Sequence, residues 1–483
     1  MKLLPACLLL AGCSALDRFY DTDYAFTVDT SGNSAAGKDE APAGCPDCAG
    51  GGYVADPLVL EQAIGKRSGL GTVTQPAGTR VPAAQEFCDQ GLACLHSYAF
   101  VDAARSFHEA LRLDPACALA WTGLARAEQG LGRKDAKYAA ITKAAESAAK
   151  ATAREQRLVE LRRLQMLAED APAAERAARH AEYKRQLDAA LAELPDEAEL
   201  WLQRGNAEED SPAGRGQGGG AASIAFYESA LRRAPGHFGA HHYLTHSFEN
   251  LRRYDQALMH AREYVQAAPD APHAHHMAGH VLPRQGLWAE AIEHFAAADR
   301  LHLANAKADA IPVSDDWHYA HNLKLLAWSL LRVGKPEQAE ACFARLRATP
   351  IRDPERSYDH AMLAEFLLVQ GRAAEALVSA REVAAETGSA RPAGRALAAE
   401  ALFVLGRADE ARAELAKAKQ EPHQDRANLL IEVVEARFLG GDREAVRREL
   451  DGLASFDGWG VGYFRAQRLQ APAAGTAGSR PHG

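Results

Sequence analysis

From Phe87 onward, apolar residues recur every three to four positions, in runs divided by short stretches that carry Gly, Asp or Pro. A period near 3.6 keeps one stripe of a helix apolar, so each run predicts an amphipathic helix. Self-comparison finds units about 34 residues long, each sufficient for two helices and a turn. In the first unit, Gly91, Ala103, Phe107, Ala110 and Pro115 fall where a helix pair needs small, small, aromatic, small and proline residues. Small residues allow close approach, the ring fills the gap between pairs, and proline cannot continue the helix. Later units repeat these slots with Ala257, Ala261 and Pro269, with Ala291, Phe295 and Ala298, with Ala339 and Phe343, with Ala376 and Ala380, with Ala411, and with Ala445. The pattern predicts an all-α solenoid of antiparallel helix pairs, with units over 83–150 and an array over 237–456. Between them, over 151–236, helical spacing persists in EQRLVELRRLQML, but the register is lost and SPAGRGQGGGAA interrupts it as a flexible connector.

The period and its slots resemble the tetratricopeptide repeat (TPR). The stretch Phe87 to Ala125, FCDQGLACLHSYAFVDAARSFHEALRLDPACALAWTGLA, resembles the opening of a group of exported bacterial TPR lipoproteins of unassigned activity. AHHYLTHSFEN and HAHHMAGHVLPRQG resemble that group's later, histidine-bearing repeats. The resemblance implies a TPR-type α-solenoid and export, and it implies no established activity.

The chain begins MKLLPACLLLAGC: one lysine, an apolar run too short to span a bilayer, then Leu10-Ala11-Gly12-Cys13. This resembles a bacterial lipobox, which assigns 1–12 to a lipoprotein signal peptide and makes Cys13 the lipidation site; an ordinary signal peptide is the other reading. Ser14 follows, and the sorting rule that goes with the resemblance expects an outer-membrane lipoprotein of the cell envelope, facing the periplasm or the exterior. The membrane is then met through the N-terminal lipid only. Residues 13–82 are rich in Gly, Ala, Ser, Pro and Thr without sustained periodicity, as in a flexible tether. The end of the chain, 457–483, drifts into APAAGTAGSRPHG and reads as a disordered tail.

Charge and cysteine usage narrow the field. With a net charge of -9 and arginines scattered beside glutamates, the chain has no basic footprint for nucleic acid. The glycine-rich stretch contains neither GxxxxGK[ST] nor GxGxxG after a strand, so it predicts no nucleotide site. Cys45-Pro-Asp-Cys48 has redox spacing but no helix or strand pattern around it, and it offers a metal only two ligands. Whether that pair forms a local disulfide is open. Cys88 and Cys94 fit helix-packing positions, as buried thiols or half-cystines. No GxSxG elbow and no complete catalytic template is present.

The histidines carry the chemistry: 13 of the 19 lie between His237 and His321. With repeat position 1 at Phe238 and at Pro272, His242 and His276 share position 5 while His246 and His280 share position 9. Residues four apart lie on one helical face, and neighbouring first helices stand about 8–10 Å apart. Two HxxxH pairs therefore face each other on the concave side. Glu249 extends the first stripe and His273 the second, while His318 and His321 open the next unit. An insertion, LHLANAKADAIPVS, precedes that unit and is placed to fold over the groove.

Two functions fit. One is a recognition scaffold, with a protein or peptide partner in the concave groove. The other is a metal site for Zn or Cu on His242, His246, His276 and His280, because imidazole is a favoured ligand for both ions. Neither pair is HExxH, so a protease glutamate is missing from its usual place. A cluster of imidazoles also offers pH sensing. His241 and His275, in a packing slot, read as structural, and His260, His294 and His302 as peripheral.

Overall fold

The computed structural model describes residues 62–209, 216–313, 317–351, 356–421, 425–457 and 461–470. The expected signal peptide, Cys13, the Cys45–Cys48 pair, most of the expected tether and the final thirteen residues lie outside these. Among the described residues the chain is helical, with no strand. Nine antiparallel pairs follow one another: α1 Pro82–His96 with α2 Phe100–Leu113, α3 Ala118–Gly130 with α4 Lys134–Ala148, α5 Ala153–Glu169 with α6 Ala173–Glu193, and α7 Ala198–Asn206 with α8 Ala221–Arg233. The array continues with α9 Phe238–Asn250 and α10 Tyr254–Ala267, α11 Pro272–Val281 and α12 Trp288–Asp309, α13 Trp317–Arg332 and α14 Pro336–Ala348, α15 Met362–Val369 and α16 Ala373–Ala384, and α17 Ala390–Val404 and α18 Ala408–Gln420. Helices α19 Asp425–Phe438, α20 Arg443–Asp457 and α21 Val461–Gln470 close the C-terminal end. The all-α solenoid predicted from the period is the fold.

The small and aromatic slots are where the pairs meet. Ala103, Ala110, Ala257, Ala261, Ala291, Phe295, Ala339, Phe343, Ala376, Ala380 and Ala411 are all inaccessible to solvent. The last unit departs from the expected slot, burying Val446 and leaving Ala445 half-buried. Phe107 shows why glycine is needed: a Cβ on Gly123 would lie 2.2 Å from its ring, and one on Gly91 2.8 Å. Turns between paired helices also repeat. A left-handed residue follows the first helix, and the next backbone N–H returns to a carbonyl five residues back, as from Arg133 to Glu128 (2.9 Å) and from Arg407 to Leu402 (2.9 Å). Gly132 and Gly406 fill that left-handed slot.

Three regions differ from the sequence expectation. Over 151–236 the pairs do not stop; α5 and α6 are 17 and 21 residues long and α7 only 9, so the period shifts while the packing continues. The described part of the glycine-rich connector is pinned, with Asn250 Nδ2 donating to the carbonyls of Gln217 (2.8 Å) and Gly219 (3.0 Å). The last part of the expected tether, 62–81, belongs to the folded body. Arg67 pairs with Asp102, Asp270 N–H donates to Gly69 O (2.8 Å), and Val73 and Ala77 are buried. Short side chains suit this segment because it threads between elements rather than forming one. Likewise 461–470 of the expected disordered tail is a helix, and its Arg465 and Arg468 are buried.

The superhelix curves tightly enough for α9 to touch α1, four pairs earlier in the chain. His96 and Tyr98, at the end of α1, thereby meet Tyr243 and His242 of α9. The expected cover also exists: α12 runs on through most of the insertion, and Arg105 Nη1 donates to the Asp309 carbonyl (2.7 Å) while Arg67 pairs with its carboxylate. A groove that lies on the concave side of the array is in this way enclosed.

Candidate metal centre

Helices α9, α11 and α13 each present a histidine stripe inward, and α1 closes the space. All eight residues expected in the groove are buried: His242, His246, Glu249, His273, His276, His280, His318 and His321. They line an interior layer, where an open groove was expected. The cause is the return of α1 onto α9, which the repeat pattern does not encode.

Three of them converge. His242 Nε2 lies 3.1 Å from His246 Nε2 and 3.0 Å from His273 Nε2. The predicted tetrad of His242, His246, His276 and His280 is therefore not the set that meets at a point; among the described residues His273 takes the third place. His276 and His280 are directed to other partners. His276 Nδ1 faces Asn322 Oδ1 at 3.3 Å, and His280 Nδ1 bonds Glu249 Oε1 at 2.8 Å. The His318 ring lies 4.6 Å from that of His273, and the His321 ring 5.0 Å from that of His276, forming a second tier behind the triad.

Hydrogen bonding fixes the chemistry of His242. Its Nδ1 is 2.7 Å from the His96 carbonyl, which can only accept, so Nδ1 carries the proton and Nε2 presents a lone pair. That single in-plane lone pair faces two further imidazole nitrogens. One N–H can donate to it well; two cannot. Burial keeps all three rings neutral, with His242 and His273 held well below the ordinary imidazole value and His246 pushed down to about 3, neighbouring histidines adding to the effect on each. Neutral imidazole is the ligating form. In a tetrahedral zinc shell with bonds of about 2.0–2.1 Å, ligand nitrogens stand about 3.3 Å apart. The two separations from His242 are within a few tenths of an ångström of that spacing.

Glu249 belongs to the margin of the centre. Burial would raise its carboxyl, but His280 and Arg284 outweigh this and hold it down to about 2. It is an ionised partner of His280, and its charge also acts on His246 of the triad.

Several residues of the centre carry no periodic signal. Tyr98 is one: its ring lies 4.7 Å from His242, 4.9 Å from His273 and stacks 5.9 Å from His318. It occupies, at φ 56°, the left-handed slot that most later units give to glycine. Such a conformation costs a side chain about 1–2 kcal/mol, so the ring's place against the histidines is what offsets it. The missing glycine in HSYAF is the sequence signal that marks it. His96 is another, bonding Tyr243 through Nδ1 (2.8 Å) and Glu199 through Nε2 (2.8 Å). His237 Nε2 meets the same Glu199 oxygen at 2.9 Å, so His96, Glu199 and His237 form a second compact group. There, two N–H donors and one carboxylate satisfy one another without an ion.

The structural histidines behave as their slot suggests. His275 Nε2 donates to the Pro269 carbonyl at 2.9 Å, as Trp121 does to Pro115 (3.0 Å) and Trp201 to Pro195 (2.8 Å). Its Nδ1 meets His294 at 3.0 Å, and His241 meets His260 in the same way at 2.9 Å. His260 and His302, expected at the periphery, are buried, the first by its stacking on Phe248 and the second by the helical extension it starts. Four cysteines in the described residues, Cys88, Cys94, Cys117 and Cys342, are free, buried thiols.

No protein-family model matches this sequence, and no curated protein does either. Among solved structures the chain is similar to yeast Tom70, at 12% identity over 80% of this chain and 87% of that one, with a TM-score of 0.38. It is also similar to a human IFIT1 dimer with m7Gppp-AAAA, at 15% identity over 81% of this chain and 91% of that one, with a TM-score of 0.37. These superpositions are loose, and nothing about the ligand of this chain follows from them.

Proposed function

We propose that this helical-repeat protein binds one transition-metal ion, zinc or copper, on His242, His246 and His273. The observation that carries the reading is the lone pair of His242, fixed by the His96 carbonyl and aimed at two more imidazole nitrogens. A backbone carbonyl on the far nitrogen is the usual way a ligating histidine is oriented. Three protein ligands leave a coordination position for an exogenous group. His273 and His318 also line a cavity of about 80 Å3 beneath the α12 extension, with Tyr98 and Cys94 in its wall. That cavity is the approach to the ion, and Asp309 latches its cover to Arg67 and Arg105.

A protein or peptide partner, expected in the groove, is assigned in this reading to the surface outside the histidine layer, since the eight side chains are enclosed. The lipobox-like start supports an outer-membrane lipoprotein held by Cys13, so the ion would be taken up in the envelope. Elemental mass spectrometry of the full chain, purified without chelator, tests the metal directly. About one zinc or copper per chain, lost in the His242→Ala/His273→Ala variant but kept when His280 is changed to Ala, is the expected result. No stoichiometric metal after soaking with either ion at neutral pH would return the layer to a metal-free polar core.

A further inference from the structure

Next to the histidine centre, the first four pairs enclose a cavity of about 110 Å3 bordered by α1, α3, α5 and α7. Arg126 of α3 and Arg162 of α5 both line it. Arg162 is 9% exposed and hydrogen-bonds Gln165; Arg126 donates to the Tyr243 hydroxyl at 3.3 Å. Among the described residues, no carboxylate pairs with either guanidinium. Three other arginines have carboxylate partners: Arg204 with Asp188, Arg437 with Glu400, and Arg468 with Glu365. The acid on the cavity wall, Glu199, is already taken by His96 and His237 on one oxygen.

Two unmatched guanidiniums on one cavity wall are an expensive arrangement. Burial pushes Arg162 down to about 10 and Arg126 pushes it the same way, with Glu169 and Glu199, neither in ion-pair contact, opposing only in part. Neither guanidinium has a carboxylate of the described residues at ion-pair distance, and an anion entering from outside would supply both with a direct partner at once. The guanidinium plane suits oxyanions, offering two parallel N–H groups to a carboxylate or phosphate. Asn206 adds a neutral donor: its Oδ1 accepts from Tyr227 (2.8 Å), which leaves its NH2 group available to a ligand at the cavity wall.

We infer that this cavity binds a small oxyanion, carried by a carboxylate or a phosphate group, between Arg126 and Arg162 with Asn206 as a third contact. The inference does not rest on the metal reading, because it uses none of the three converging histidines. Isothermal titration of the full chain in chloride buffer, with sodium phosphate and separately with sodium succinate, tests it. At least one of the two binds at one per chain, and which one binds assigns the class. Arg162→Gln weakens that binding by roughly 10- to 100-fold, as does Arg126→Gln, the loss expected for a charge-assisted hydrogen bond. The His242→Ala/His273→Ala variant binds the anion as the wild type does. Circular dichroism checks the fold of each variant; should Arg162→Gln not fold, the half-buried Arg126→Gln decides. Absence of binding by both anions at millimolar concentration, or unchanged affinity in Arg126→Gln, overturns the assignment.

Discussion

The chain buries titratable groups in two layers, one at the return of α9 onto α1 and one where α21 enters the C-terminal pairs, and the two solve the same problem differently. In the C-terminal layer, Glu365 and Glu400 face Arg437, Arg465 and Arg468. Arg468 Nη1 reaches Glu365 at 2.9 Å, and Tyr358 donates to the same carboxylate at 2.6 Å. Opposite charges there complete one another. In the histidine layer the three converging partners are alike: the rings of His242, His246 and His273 are neutral, and their Nε2 atoms face one another. In the C-terminal layer each arginine has a carboxylate partner, whereas in the proposed reading the converging ring nitrogens are completed by a cation. In the proposed reading, the difference separates a polar network that holds the fold from one that receives a ligand.

The largest effect is expected from opening the self-sufficient layer. Glu365→Ala leaves Arg465 and Arg468 buried without their shared carboxylate, a loss of about 3–5 kcal/mol. It should appear as lost amide protection across 358–470, with the histidine layer unchanged. Next comes the ligand-dependent layer: metal at one hundred times its dissociation constant stabilises by about 2.7 kcal/mol. Chelator should therefore reduce protection in α9, α11 and α13 while leaving α15 to α21 as before, and His242→Ala should abolish the chelator effect. Protection that falls equally in both halves would erase the distinction.

Acid sharpens the contrast. Burial would raise the Glu365 carboxyl, but Arg465, Arg468 and the Tyr358 hydroxyl outweigh it and hold it below its ordinary value of 4.5. The folded chain thus gives up this proton more readily than the unfolded chain. The stability contributed is complete above about pH 4.5 and drains away as pH falls through the lower folded value. Glu365→Gln should remove that acid-dependent loss in the C-terminal half. The smallest effect is expected from His294→Ala, which breaks the pair with His275 away from the triad. Less than about 1 kcal/mol should be lost, and metal content should stay as in the wild type.

Much of this architecture is written in the chain. The small and aromatic slots, from Ala103 and Phe107 to Ala411, are legible because a helix pair can pack in that way only with those volumes. The structural role of His275 is legible because it stands where Trp121 and Trp201 stand. The converging set is only partly legible: HxxxH places His242 and His246 on one face, but His273 enters the triad and His276 does not, which depends on the angle between α9 and α11. Residues His96 and Tyr98 are out of reach of repeat counting, because they come from the first pair and meet α9 only through the return of the superhelix. The helical end of the expected tail escapes a sequence reading because Arg465 and Arg468 look like a solvated face until Glu365 and Glu400 are placed opposite them.

The sequence by itself determined the helices, their pairing and the concentration of histidine on consecutive concave stripes, since these follow from local period and neighbour packing. Only the tertiary structure decided that the stripes are enclosed, which three nitrogens meet and which arginines stand without an ion-pair contact. Those outcomes depend on superhelical curvature, a sum of small rotations at each pair. No single repeat records that sum, yet it brings α1 against α9 and turns a groove into an interior.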